Sequence, residues 1–201
     1  MDGMNPFGSP IPGETPLNDI SGLKIKGINE RQELNDYEFR NIARASKKYL
    51  LGKPSRRLVP FDLSWLRKLH FEMFGDVWEW AGHYRVSETN IGVNPVQIET
   101  QLYTLLEDLK AWQASDVEML EQCVRLHHRS VQIHPFTNGN GRWARMLGNI
   151  WAKMHRQPIV AWPEKVIANT SPERDEYLAA IKEADDGNLA PLIEFHRRFT
   201  D

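Results

Sequence analysis

Apolar residues recur along this chain at steps of three and four, a pattern that predicts helices almost throughout. From Asn29 to Leu51, Leu34, Ile42, Ala45 and Tyr49 fall near the helical period, and Gly52 and Pro54 end the run. Leu63, Leu66, Leu69 and Met73 stripe a second helix, with Asp62 placed to cap it and Gly75 at its end. Ile98, Leu102, Leu105, Leu106 and Leu109 give the inner face of a third helix over Gln97 to Trp112. Two more helices follow, from Glu118 to about Ile133 and from Asn140 to about Arg156. Ser171 and Pro172 read as the cap and first residue of another, running to about Asp185. Leu189 to Phe199 closes the chain as a last amphipathic helix.

Two segments break this pattern. Residues Met1 to about Lys26 are rich in Gly and Pro and read as an extended arm. VSETNIGVNP, from Val86 to Pro95, carries Thr, Ile and Val around Asn90 and Gly92, and reads as a short hairpin or an irregular flap. The fold class expected is therefore mostly α, with one small β element and no internal repeat.

Composition adds bounds. The 201 residues suffice for one domain with a real core plus an extension. A net charge of −2 gives no reason to expect direct nucleic-acid binding through bulk charge. A lone cysteine, Cys123, cannot form an internal disulfide, which suits a reducing cytoplasm; it shares an apolar stripe and reads as an inert buried thiol. No basic region leads into an apolar run at the N-terminus, and no apolar run reaches the length of a membrane span, so no signal peptide and no membrane segment are expected.

The chemistry concentrates in HPFTNGNGRWAR, His134 to Arg145. Gly139, Asn140 and Gly141 can turn successive backbone N–H groups into a concave anion nest. The helix that starts there adds a positive dipole end to the same spot. Arg142 and Arg145, three residues apart in its first turn, share a face. Cations are unfavourable at a helix N-terminus unless an anion with several charges, such as a polyphosphate, sits between them. His134 lies just upstream, placed to move a proton beside that anion. Pro135 and Phe136 read as structural.

This string resembles the signature of the Fic (Fido) family, HPFx(D/E)GNGRxxR. It matches at His134, Pro135, Phe136, Gly139, Asn140, Gly141, Arg142 and Arg145 and departs at Asn138, where the family usually has Asp or Glu. LHFEMFGDVWEWAGHYR, Leu69 to Arg85, is similar to the family's segment leading into the flap, a Phe-x-x-x-Trp-x-Trp-Ala-Gly-x-x-Arg pattern. The resemblance implies a Fic helical bundle with a small β-hairpin flap, divided into an N-terminal arm and helix (1–60) and a Fido domain (61–201). It implies transfer of AMP from ATP to a Ser, Thr or Tyr hydroxyl of a target protein, with His134 as base. Gly139, Asn140, Gly141 and the two arginines would hold the nucleotide, and residue 138 would hold Mg²⁺. An Asn oxygen can ligate Mg²⁺ with one negative charge fewer than a carboxylate. The same scaffold serves transfer of other phosphate-containing groups, although the intact Gly141 argues against the kinase variant. A catalytically weak binding module is the third reading. The stretch GETPLNDISGLKIKGINERQELNDYEFRNI is similar to the arm of the bacterial subgroup called mobile mystery protein B, which implies a small helix-turn-helix partner protein.

Two further readings concern charged and titratable residues. Leu34, Glu38, Asn41, Ala45 and Tyr49 form one stripe of the first helix, so Glu38 is a carboxylate on a packed face. Many Fic proteins block themselves with a glutamate that pairs with the second signature arginine. The usual motif for it is absent here, but Glu38 paired with Arg145 would explain the stripe. The alternative is a helix-start capping box formed with Asn35; Glu33 is a weaker inhibitory candidate. His127 falls on the stripe of Leu120, Cys123 and Val131 and reads as a core histidine, with no zinc-type spacing linking it to His128 or His134.

Overall fold

The computed structural model describes residues 20–28, 30–167 and 169–200. Most of the expected arm, residues 1–19, lies outside the described residues, as does Asn29. The described residues form eight α-helices: α1 (Arg31–Leu50), α2 (Leu63–Phe74), α3 (Ile98–Gln113), α4 (Met119–Ile133), α5 (Asn140–Met154), the short α6 (Glu164–Ile167), α7 (Pro172–Asp185) and α8 (Ala190–Arg198). None is long and apolar enough to cross a membrane.

α4 and α5 pair along their length at the centre, α1 packs on α2, α3 packs on α4, and α7 and α8 pack on each other and on α4. The inner face of α1 is the stripe the sequence shows: Leu34, Glu38, Asn41, Ala45 and Tyr49 are all buried. Its apolar members join the same core as Trp65, Leu69, Trp78, Phe136, Trp143 and Leu147, so α1 is built into the domain rather than appended to it. A smaller cluster of Val124, Ile167, Tyr177, Leu192 and Phe195 fills the space between α4, α7 and α8. The caps follow local chemistry. Asp62 accepts from the Trp65 N–H at 2.7 Å to start α2, and Ser171 accepts from the Arg174 N–H at 3.1 Å to start α7.

Two open alternatives are decided. α1 begins at Arg31 with Glu30 at its cap position and no side-chain cap bond, so Asn35 and Glu38 lie inside the helix and form no capping box. The flap is irregular rather than a hairpin. Its bonds run between side chains and carbonyls, from Arg85 to Ser87 and Val93 and from Thr89 to Ile91, and leave no ladder between two extended strands. The bridges among the described residues are isolated pairs, Leu23 with Trp78, Tyr84 with Phe136 and Val160 with Thr200.

Candidate nucleotide site

α4 ends at His134, which takes a left-handed conformation (φ 52°), while its N–H still donates to Ser130 O at 3.2 Å. The reversal turns the chain out of α4 and into the signature loop. Buried Arg85 fixes the exit. Its Nε donates to His134 O at 2.7 Å, its backbone N–H donates to Pro135 O at 2.9 Å, and its guanidinium also holds Ser87 O and Val93 O. One side chain thus ties both ends of the flap to the loop. Gly92 lies so close that a Cβ there would sit 2.7 Å from the His134 Cβ, which places the flap directly over the histidine. Burial, then the charge of Arg85, push the His134 pKa down to about 4, partly opposed by a bond to the Val131 backbone. His134 is therefore neutral at ordinary pH, the state a proton acceptor needs.

Asn140 clamps the loop from inside. It accepts from the Phe136 N–H at 2.9 Å and donates back to Phe136 O at 2.8 Å. Phe136 is stacked on the His70 ring with centroids 3.6 Å apart. His70 itself donates from Nε2 to Asn138 O at 3.0 Å and accepts the Gly82 N–H on Nδ1 at 3.0 Å. A carbonyl can only accept, so these bonds fix the His70 tautomer with its proton on Nε2. Complete burial pushes its pKa down to about 3. Gly139 starts α5 at φ 78°, and a Cβ there would lie 2.6 Å from the Phe74 ring, so a side chain is excluded by both conformation and space. Asn138 turns its Oδ1 onto the Gly139 N–H at 2.6 Å.

The two arginines diverge. Arg142 lies over the Phe74 ring and pairs with Glu38 of α1, Nη1 to Oε2 at 2.5 Å. The other Glu38 oxygen accepts from Trp78 Nε1 at 2.7 Å. Arg145 turns to the opposite side, where Glu164 of α6 takes it in a two-point fork, 2.9 Å to Nε and 2.6 Å to Nη2. The expected pairing of Glu38 with Arg145 is thereby corrected: the partner of Glu38 is Arg142. The cause is the docking of α1 against α2 and the start of α5, which brings Glu38 to the outer arginine and leaves Arg145 facing α6 and α7. Glu33 is exposed and has no part in this.

His134, Asn138, Gly139, Asn140, Gly141 and Arg142 thus gather around the start of α5. His127 is a fully buried core histidine, bonded to His196 and Tyr177. Cys123 is buried, and desolvation pushes its thiol pKa up to about 12. Sequence reasoning missed His70, Glu164 and Tyr177. It included Arg85 only as the last letter of a pattern.

Residues 60–152, from just before α2 to near the end of α5, match the profile of the Fic/DOC family. This segment is similar to a Fic domain. Over 119 residues, 57% of its length, the chain is 29% identical to a protein adenylyltransferase, fic-1, of Caenorhabditis elegans. The chain spans only 22% of that relative's length. The solved structure of fic-1 residues 134–508 from C. elegans superposes with a TM-score of 0.69 at 23% identity, over 90% of this chain and 52% of that one. The BepC protein of Bartonella tribocorum, solved with bound AMPPNP, superposes with a TM-score of 0.61 at 20% identity, over 87% of this chain and 90% of that one. At these identities the structural likeness speaks to the Fic fold. Of the helices that the Fic match does not reach, α7 and α8 still pack on its central α4.

Proposed function

We propose that this chain transfers AMP from ATP to a hydroxyl side chain of a target protein. The observation that carries the reading is a neutral, buried histidine at the mouth of a helix N-terminus whose first two turns bear two arginines. In this reading the outer phosphates lie against Arg142 and the N–H groups of the Gly139–Gly141 turn, which lowers their negative charge. His134 accepts the proton of the target hydroxyl as its oxygen bonds to the α-phosphorus. The bond from that phosphorus to the bridging oxygen breaks, and pyrophosphate leaves. The base contributes only part of the acceleration; positioning and charge neutralisation contribute the rest. The flap, tied to the loop by Arg85, holds the target segment over His134.

Asn138 fits Mg²⁺ as one neutral ligand, since an amide oxygen carries two lone pairs and can ligate a hard cation while accepting the Gly139 N–H. The metal would supply charge neutralisation at the phosphates, with waters and phosphate oxygens completing its shell. Glu38 acts as a self-inhibitory group in this scheme by occupying Arg142 before ATP arrives. The likeness of the arm to mobile mystery protein B supports a small helix-turn-helix protein as partner.

ATP labelled separately at the α- and γ-phosphates tests the reading on the full chain. Label incorporated from the α position supports AMP transfer. Label from the γ position alone replaces it with kinase action, and no incorporation replaces it with a binding module.

A further inference from the structure

Arg145 is held on two sides, and only one holder is the exposed Glu164. Behind it lies a buried row of polar side chains that the proposed reaction does not use. Tyr177 Oη bonds His127 Nε2 at 3.0 Å, His127 Nδ1 bonds His196 Nε2 at 3.0 Å, and His196 Nδ1 bonds Leu192 O at 2.7 Å. Arg145 lies against Tyr177 at the other end of the row, its Cζ 6.0 Å from the ring centroid, and the two attract each other electrostatically. The row crosses from α5 through α7 and α4 to α8, and all four side chains are nearly inaccessible.

The position of every proton in this row follows from its far end. Leu192 O is a carbonyl and can only accept, so His196 carries its proton on Nδ1. Burial pushes the His196 pKa down to about 4, so the ring is neutral and its Nε2 must accept. His127 therefore donates from Nδ1. Burial holds its pKa well below the usual range, and its Nε2 in turn accepts. The Tyr177 hydroxyl must then give its proton to His127 and turn its oxygen lone pairs outward, toward Arg145. No other proton order satisfies all the groups. The rings also pack, with His127 and Tyr177 at 10° between planes, and Trp162 set edge-on to His196. At the active end, a Cβ on Gly141 would lie 3.4 Å from Arg145 Nη1, so the guanidinium flanks the nest.

We infer that Tyr177, His127 and His196 are positioning residues: a proton-ordered relay, anchored at the Leu192 carbonyl, that presents a fixed acceptor to Arg145 and so aims its guanidinium at the anion nest. The effect on nucleotide binding rests on the proposed function, whereas the relay itself does not. Arg145 is charged in either case. Burial opposes its charge, but Glu164 and Tyr177 more than offset this and raise its pKa. The relay decides direction rather than protonation. An arginine held by Glu164 alone could swing with α6, a helix of one turn on the surface.

Nitrogen NMR on the unliganded full chain tests the relay first. Both His127 and His196 should carry their proton on Nδ1 with a bare Nε2, and a proton on Nε2 of either would overturn the inference. Tyr177→Phe keeps the ring stack and removes only the hydroxyl. It should shift the protected Arg145 Nε–H signal, and an unmoved signal would likewise overturn the inference. The same variant should weaken ATP binding about tenfold, the usual size for one bond to a charged group. In a double-mutant cycle with Arg145→Ala, the two losses should not add, because Tyr177 acts only through Arg145. Additive losses, or unchanged ATP affinity in folded Tyr177→Phe, would reduce the row to core packing. If the parent chain binds no ATP, the nucleotide reading falls, and the tautomers and the Arg145 signal still decide the relay.

Discussion

Replacing Glu38 by glutamine should make this protein less stable and a better nucleotide binder at once. The substitution keeps an oxygen for Trp78 Nε1 and removes the charge opposite Arg142. A charge-assisted bond of this kind contributes about 1.5–3 kcal/mol. Arg142 is 28% exposed against 6% for Glu38, so water recovers part of the loss at the arginine, and the lower end of that range applies, about 1.5 kcal/mol. For a domain of this size that lowers Tm by roughly 3–6 °C. ATP no longer has to displace a carboxylate from Arg142, so the same energy returns as roughly tenfold tighter binding. Calorimetric titration with ATP and a thermal melt on the same preparation read the two effects. Automodification from α-labelled ATP should rise in parallel. Glu38→Gly should raise it too, with a larger loss of stability, because Trp78 Nε1 is then left buried without an acceptor and a helix interior gains a glycine. Glu33→Gln is the control and should change neither quantity. A Glu38→Gln protein with lowered Tm and unchanged ATP affinity would refute the competition between Glu38 and phosphate.

Four further outcomes are expected. His134→Ala should abolish AMP transfer while ATP affinity stays within about twofold, since the nest and arginines do the binding; comparable turnover would remove the base assignment. Arg142→Ala should weaken ATP binding by about 1.5–3 kcal/mol and lower turnover with it, and unchanged calorimetric affinity would end its phosphate role. Asn138→Asp should lower the Mg²⁺ concentration needed for half-maximal activity, and an unchanged titration would mean that residue 138 does not face the metal. The folded pKa values of His134, His196 and His70, at about 4, 4 and 3, lie below the unfolded value of 6.5. Their contribution to stability is therefore complete above pH 6.5 and is lost as pH falls toward 4, by up to about 1.4 kcal/mol per histidine per pH unit, which melts at stepped pH would show.

The parts of this site that are local in sequence could be read from it. Gly139 at a positive φ, Asn140 opening α5 and the buried stripe of α1 all follow from turn chemistry and helical period. Glu38 was visible as a misplaced charge for the same reason. What could not be read is which arginine it meets. That depends on how α1 docks against α2, and the spacing of Arg142 and Arg145 alone suggests a shared face when their long side chains in fact diverge. His70 looked like one more residue on the α2 helix, because its two bonds reach a loop and a turn far away in sequence. The His127 row was legible only as a buried histidine; its proton order required the Leu192 carbonyl, 65 residues away. At the flap, a period of two over so few residues does not separate a hairpin from a loop laced by Arg85.

The two carboxylates share a physical cause. A helix N-terminus with two arginines and no anion is electrostatically unfavourable, by roughly 0.3–1 kcal/mol per charge near the dipole alone. This fold meets that cost from both sides: Glu38, buried on α1, holds Arg142, while Glu164, on α6 and half in solvent, holds Arg145. The two restraints are unequal. Glu38 cannot leave without α1 shifting or Trp78 Nε1 losing its acceptor, so ATP must compete against a fixed partner at Arg142. Glu164 can swing into water at little cost, and Tyr177 keeps Arg145 aimed when it does. Nucleotide entry should therefore be governed by α1, and the geometry of the bound phosphates by the relay behind α5. A partner that grips α1 would then regulate occupancy without touching the signature loop.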